Sequence, residues 1–230
     1  MAQALAESIF DVLYLTFAVV IGIYLIQRGG KGSLVRSFGI MALVLGAGDS
    51  FHLVPRAISL WTTGLEANAA ALGIGKLITS ITMTIFYLIL YYIWRERYQI
   101  IGRKALSVTM WGLTIVRIAL CAFPQNQWLS YQQPLLWGIL RNIPFAIMGV
   151  LLIVLFAQEA KRANDRVFRH MWLAITLSFA FYIPVVLFAE KIPMIGMLMI
   201  PKTLAYVWVV VMGLNLYRQT KQERFESTSE

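Results

Sequence analysis

Seven stretches of roughly 20 mostly apolar residues, parted by short joints, constrain this chain more than any other feature it has. They run at about 8–27, 37–60, 69–94, 104–123, 134–158, 167–189 and 193–217. Each is long enough to cross the hydrocarbon core as a helix, where every backbone group must find its partner within the segment. The joints carry breakers and charge: Arg28-Gly29-Gly30-Lys31-Gly32, Thr62-Thr63-Gly64, Pro124-Gln125-Asn126-Gln127 and Lys191-Ile192-Pro193. Only 13% of residues are charged, against about 25% in soluble domains, and 59% are hydrophobic, so lipid must cover what a soluble core of this size cannot bury. The expected fold is all-α, an integral membrane bundle of seven transmembrane helices. It forms one domain over 1–225, with 226–230 as a disordered tail. Met1–Ser8 has no basic run and contains Glu7, so the first stretch reads as a true helix, not a cleaved leader.

The basic residues orient the bundle. Arg28, Lys31 and Arg36 fall in the first joint, and Arg95, Arg97, Arg103 and Lys104 in the third. Lys161, Arg162, Arg166 and Arg169 fall in the fifth, and Arg218, Lys221 and Arg224 in the tail. The alternate joints, near Glu66, Gln125 and Glu190, contribute only Lys191. By the positive-inside rule the N-terminus is outside and the C-terminus cytoplasmic, in a multi-pass protein of the cell membrane. The net charge of +9 is then a property of cytoplasmic loops, and no nucleic-acid partner is expected. Trp61, Trp128 and Trp137 are expected as anchors at the outer interface and Trp94 at the inner one.

The two halves parallel one another. Phe17-Ala18 matches Phe145-Ala146, and Gln27, Lys31, Arg36 and Phe38 match Gln158, Lys161, Arg166 and Phe168. Pro55 matches Pro184, and Lys76 matches Lys202, at offsets that stay between about 126 and 131 residues. Residues 8–94 and 134–217 therefore read as parallel repeats, with the helix at 104–123 as a linker that restores orientation. This 3+1+3 plan resembles the sugar-transporting SWEET and PQ-loop seven-helix families. The resemblance is architectural: helices one and five lack the Pro-Gln dipeptide of those families, so no residue role is carried over.

Five basic residues lie within the apolar stretches: Arg56, Lys76, Arg117, Arg141 and Lys202. At 1.5 Å per residue, Lys76 and Arg141 sit roughly 10 Å below the outer ends of their helices, Lys202 slightly deeper, and Arg117 about 20 Å up from the cytoplasmic side. Arg56 is close to an outer end, where a long side chain can snorkel to the interface. Five cations on five helices thus share the outer half of the membrane, and each costs roughly 2.5–3.5 kcal/mol to insert near a helix centre. Asp11 and Asp49 are the acids at this depth, with Glu7, Glu66 and Glu190 at the outer ends. Ion pairing, such as Asp49 with Arg117 or Lys202, satisfies one or two cations but not five. The excess points to a bound anion.

Helix two holds the densest polar cluster. Asp49, His52 and Arg56 stand at i, i+3 and i+7 on one helix face, after the small residues Gly46-Ala47-Gly48. Pro55 frees the carbonyl near Phe51. Asp49 and His52 are the candidate acid/base pair. The structural alternative is a self-satisfied polar ladder. Asn142, beside Arg141, and Tyr206, one turn from Lys202, complete the candidate ligand-binding set with Arg56, Lys76, Arg117, Arg141 and Lys202.

Some chemistries are disfavoured. Cys121 is the one cysteine, so neither a disulfide within the chain nor a Cys-based zinc site can form, and His170 lies far along the chain from His52. Gly-rich phosphate loops, His-Glu-x-x-His and Gly-x-Ser-x-Gly are missing, and Ser50 faces away from Asp49 and His52. No metal and no cofactor is expected. The leading expectation is a transporter or receptor for a small organic anion or an anionic lipid headgroup, bound from the outer side. The alternative is an intramembrane enzyme acting on a phosphate- or carboxylate-bearing lipid through Asp49 and His52. A third is a retinal protein with its Schiff base on Lys202. The partners are membrane lipids and the anion itself, and a homo-oligomer is an open arrangement.

Overall fold

A computed structural model describes residues 2–189 and 192–228. Its helices are α1 (Ala2–Arg28), α2 (Leu34–Trp61), α3 (Ala69–Arg97), α4 (Lys104–Ala122), α5 (Leu135–Arg162), α6 (Met171–Phe188) and α7 (Met199–Thr228). Short 3-10 segments, Pro124–Asn126 and Pro193–Leu198, precede α5 and α7. Seven helices among the described residues are long and apolar enough to cross a membrane, so the chain is a multi-pass membrane protein in form.

The boundaries follow local chemistry. Ser33 caps α2 by accepting from the Arg36 backbone amide at 3.3 Å. Asp165 accepts from the amides of Val167 and Phe168 at 2.9 and 3.2 Å. That turn delays α6 to Met171, four residues past the start expected from hydropathy. At the far end α7 runs to Thr228. Side-chain bonds at i, i+4 support it, from Gln219 to Glu223 and from Gln222 to Glu226. Residues 229 and 230, like Glu190 and Lys191, lie outside the described residues.

Helices pack largely on their sequence neighbours; α7 closes the ring against α1 and α2, and α3 reaches across to α5. Small residues set the closest approaches. A Cβ on Gly46 would press on Ala18 and Val19 of α1, and one on Gly48 would collide with Thr82 of α3. The Gly46-Ala47-Gly48 run therefore lets α2 sit tightly between two neighbours. Gly75 of α3 faces the Phe51 carbonyl, the one that Pro55 releases from the α2 ladder.

The bundle is solid at the end where α1 finishes. Phe38 stacks on Phe168 with centroids 5.4 Å apart, and Phe156 meets Phe168 edge-on at 6.2 Å. Trp94 corrects an expectation here. It is no interfacial anchor: it is 0% exposed, and its Nε1 donates to the Leu155 carbonyl at 3.1 Å. Beside this core Arg97 grips Asp165 with two hydrogen bonds of 2.9 and 3.1 Å, Tyr98 donates to the same carboxylate at 3.1 Å, and Arg97 reaches Gln219 of α7 at 3.4 Å. Burial alone would raise the Asp165 carboxyl. The Arg97 hydrogen bonds and charge outweigh it, with help from the two amides, and hold the group below the usual carboxylate range.

Candidate functional site: a basic cavity among seven helix ends

The opposite end is hollow. A cavity of about 330 Å³ is lined by the first turns of α1, α3, α5 and α7 and the last turns of α2, α4 and α6. Because the chain alternates direction at each short joint, residues from the start of one helix and the end of the next converge here. All nine candidate residues line it: Asp49, His52, Arg56, Lys76, Arg117, Arg141, Asn142, Lys202 and Tyr206.

Their partners sort them by depth. At the mouth, Arg56 donates from Nε and Nη2 to Glu7 Oε2 at 3.2 and 3.1 Å. Arg56 is thus tied to α1, where snorkelling was the simpler expectation, and Glu7 turns inward to meet it. Glu66 remains exposed in the α2–α3 joint. Lys76 is an exposed side chain on the cavity rim. Arg141 donates to Asn126 Oδ1 at 2.8 Å and lies over the Trp128 ring at 4.4 Å. Asn126 is in turn held by three carbonyls at the end of α4, so this arginine rests on a rigid cap. Trp128 donates to the Cys121 carbonyl at 2.8 Å, which makes it a prop for Arg141 rather than a simple interface anchor.

Deeper in, the partners turn aromatic. Arg117 is 2% exposed and its guanidinium carbon lies 3.5 Å from the centre of the Phe145 ring. Its Nε and Nη1 have no hydrogen-bond partner. Lys202 is 7% exposed, with Nζ 4.6 Å from the Tyr182 ring centre and 5.5 Å from that of Tyr206. Such cation–π contacts are worth more when water is excluded, about 2 kcal/mol or above. They do not neutralise a charge. Among the described residues no carboxylate stands within ion-pair distance of Arg117 or Lys202.

Asp49 is 9% exposed and accepts from Tyr14 of α1 at 2.7 Å. It makes no direct ion pair with Arg117 or Lys202, the pairings expected from sequence, but its charge acts on Lys202 across the cavity. His52, three residues on, shares the cavity wall, and its Nδ1 is buried without a hydrogen-bond partner. Ser50 turns to the Ala47 carbonyl of its own helix at 2.7 Å. Asn142 donates to Gly138 and accepts from Tyr182 at 3.2 Å, joining α5 to α6.

The structure adds Tyr14, an apolar-looking position in an apolar helix that nothing in the sequence marks. Phe145, marked in the sequence only as the repeat match of Phe17, proves to be the ring under Arg117. Glu7, an acid at an outer helix end, is the one that turns inward, to Arg56. The lining contains Arg56, Lys76, Arg117, Arg141 and Lys202 against Glu7, Asp11 and Asp49, a formal excess of two positive charges with His52 neutral. A concave site with buried cations, a few polar groups and aromatic walls is suited to hold an anion. Comparison with protein families, with curated proteins and with solved structures finds no match.

Proposed function

We propose that this chain is a transporter or receptor of the cell membrane that binds a small organic anion, or the headgroup of an anionic lipid, in this cavity. The observation that carries the reading is the buried pair Arg117 and Lys202: Arg117 lies over the Phe145 ring with two nitrogens unpartnered, and Lys202 lies against two tyrosine rings with only the more distant charge of Asp49 opposing it. A cation inside a membrane protein is tolerated where it has a partner or water. An anion contacting both supplies that partner.

The positive-inside distribution of Lys and Arg supports an outward-facing mouth. Two observations support the 3+1+3 repeat. Lys76 and Lys202 line the same cavity, and the rings of Phe38 and Phe168 stack, as matched residues do beside a pseudo-symmetry axis.

A ligand that binds only the folded protein stabilises it by RT ln(1 + [L]/Kd), about 2.7 kcal/mol at one hundred times Kd. Phosphate- or carboxylate-bearing compounds should raise the melting temperature of the purified protein, and neutral analogues of equal size should not. Lys202→Met should abolish the rise, whereas Arg56→Gln should leave most of it, since Arg56 is already engaged by Glu7. If no anion shifts the melting temperature, the reading fails.

One observation favours an enzyme as second reading: the unpartnered His52 Nδ1 on the wall that also carries Asp49. Release of product from a lipid extract by the wild-type chain, and not by His52→Ala, would decide for it.

A further inference from the structure

We infer that the ligand is a single-chain amphiphile whose anionic headgroup sits in the basic cavity and whose acyl chain leaves sideways between α5 and α6. The inference rests on the anion-binding reading and adds the ligand's second half and its route.

A separate groove of about 210 Å³ runs between α5 and α6, bordered by Ile139, Ile143 and Ala146 on one helix and by Phe179, Ile183 and Leu187 on the other. Apart from Asn142 and the hydroxyl of Tyr182, its lining is aliphatic or aromatic. Asn142, Phe145, Tyr182 and Val186 border both this groove and the basic cavity. The two spaces are therefore neighbours across one layer of side chains. On one side of that layer are Arg117 and Lys202, held against Phe145 and Tyr182. On the other side Ile143 and Ile183 are 49% and 47% exposed, on faces that meet lipid in a membrane-spanning bundle.

That arrangement matches the shape and polarity of an anionic amphiphile. A free inorganic anion needs the cavity and has no use for the groove. A two-chain lipid would need more than one slot of this width. A single chain lying in the groove places its charged end at the shared layer, beside both buried cations. The Tyr182–Asn142 hydrogen bond, 3.2 Å long, bridges the two helices at that point. It is a single neutral bond between side chains, with no charged group holding it closed. An amphiphile already dissolved in the bilayer can thus reach the cations without passing through water.

The test uses the full chain in lipid nanodiscs and a series of alkyl phosphates: methyl, butyl, hexyl and octyl. Binding is read by displacement of a fluorescent anion or by melting temperature. Referred to the free aqueous concentration of ligand, each methylene buried from water should tighten apparent binding roughly fourfold. Ile143→Trp and Ile183→Trp fill the groove from opposite helices, at lipid-facing positions where a larger side chain does not disturb the core. Both should flatten the dependence on chain length while leaving methyl phosphate affinity unchanged. The inference is overturned if methyl phosphate binds but the folded Trp variants keep the wild-type slope, for then the chain is elsewhere and the anion site stands. Failure of methyl phosphate to bind the wild type overturns the anion reading, and this inference with it.

Discussion

Arg117 shows what one side chain can reveal inside a membrane. The sequence marks it because a guanidinium in an apolar helix is costly wherever it stands. The structure shows how the cost is met: burial over the Phe145 ring, with two nitrogens unsatisfied. Stability and binding therefore pull in opposite directions at this position. Arg117→Met should raise the melting temperature of the ligand-free protein, because an apolar side chain of similar length replaces an uncompensated charge. The same variant should lose the stabilisation that anions confer. A lowered melting temperature without ligand would mean that the arginine is already neutralised in the empty protein. Charged residues were legible in this way because lipid penalises them whatever the fold. Tyr14 was not. A tyrosine in a membrane helix serves packing, interface or hydrogen bonding with equal ease, and only the approach of α1 to α2 makes it the donor to Asp49. Trp94 misled for the same reason: its position near a helix end fits an anchor, and its burial depends on α5.

Helices α2 and α3 meet backbone to backbone at Gly75, besides the Thr79 hydroxyl that donates to the Gly48 carbonyl at 3.0 Å. Gly75 stands where a Cβ would strike the Phe51 carbonyl, and backbone cannot step aside as a flexible side chain can. Gly75→Ala should destabilise the protein by about 1–3 kcal/mol by forcing the two helices apart, and should weaken anion binding because His52 and Lys76 ride on them. Gly112 in α4 is the matched control. Nothing lies within 4 Å of a Cβ built there, so Gly112→Ala should stabilise by about 0.5–1 kcal/mol through helix propensity alone. The melting temperatures of the two variants, taken together, separate a packing effect from a propensity effect. At the other end of α3, Arg97 and Asp165 hold the α5–α6 turn. The carboxyl of Asp165 titrates below its unfolded value of about 3.9. Its contribution is complete above that value and is lost as pH falls through the depressed folded value. Asp165→Asn should cost roughly 1.5–3 kcal/mol at neutral pH, and it should flatten the loss of stability below about pH 4. An unchanged acid limb in that variant would show that other carboxylates govern it. Boundaries at the joints inside the bundle were readable from hydropathy to within about four residues, and the α6 shift comes from Asp165, whose side chain competes with the helix for backbone amides. The larger misses are at the start of α1 and at both ends of α7, where polar helical turns and a 3-10 segment carry no apolar signal to read.

On the scale of the whole molecule, the seven spans and the convergence of the basic residues were both accessible from sequence. Hydrocarbon thickness dictates the first, and the expense of buried charge dictates the second. The groove between α5 and α6 was not accessible, since apolar residues facing lipid and apolar residues lining a groove look alike in one dimension. Sidedness is tested by single cysteines in a Cys121→Ala background. Ala67→Cys and Gln125→Cys, both exposed in the structure, should react with an impermeant thiol reagent added to intact cells. Lys31→Cys and Ala163→Cys, at the other end of the bundle, should react only after permeabilisation. The reverse pattern would invert the molecule in the membrane and turn the cavity toward the cytoplasm.

The aromatic plug of Phe38, Phe156, Phe168 and Trp94, with the Arg97–Asp165 clasp beside it, makes the molecule a cup and not a tube. A receptor can work as a cup. A carrier must also exist in a second shape, in which the plug has come apart and the cup has opened at its base. Tying the α3 end to the α5–α6 turn by a chemical cross-link would therefore halt a carrier in mid-cycle with its cargo aboard, and would leave a receptor's occupancy untouched.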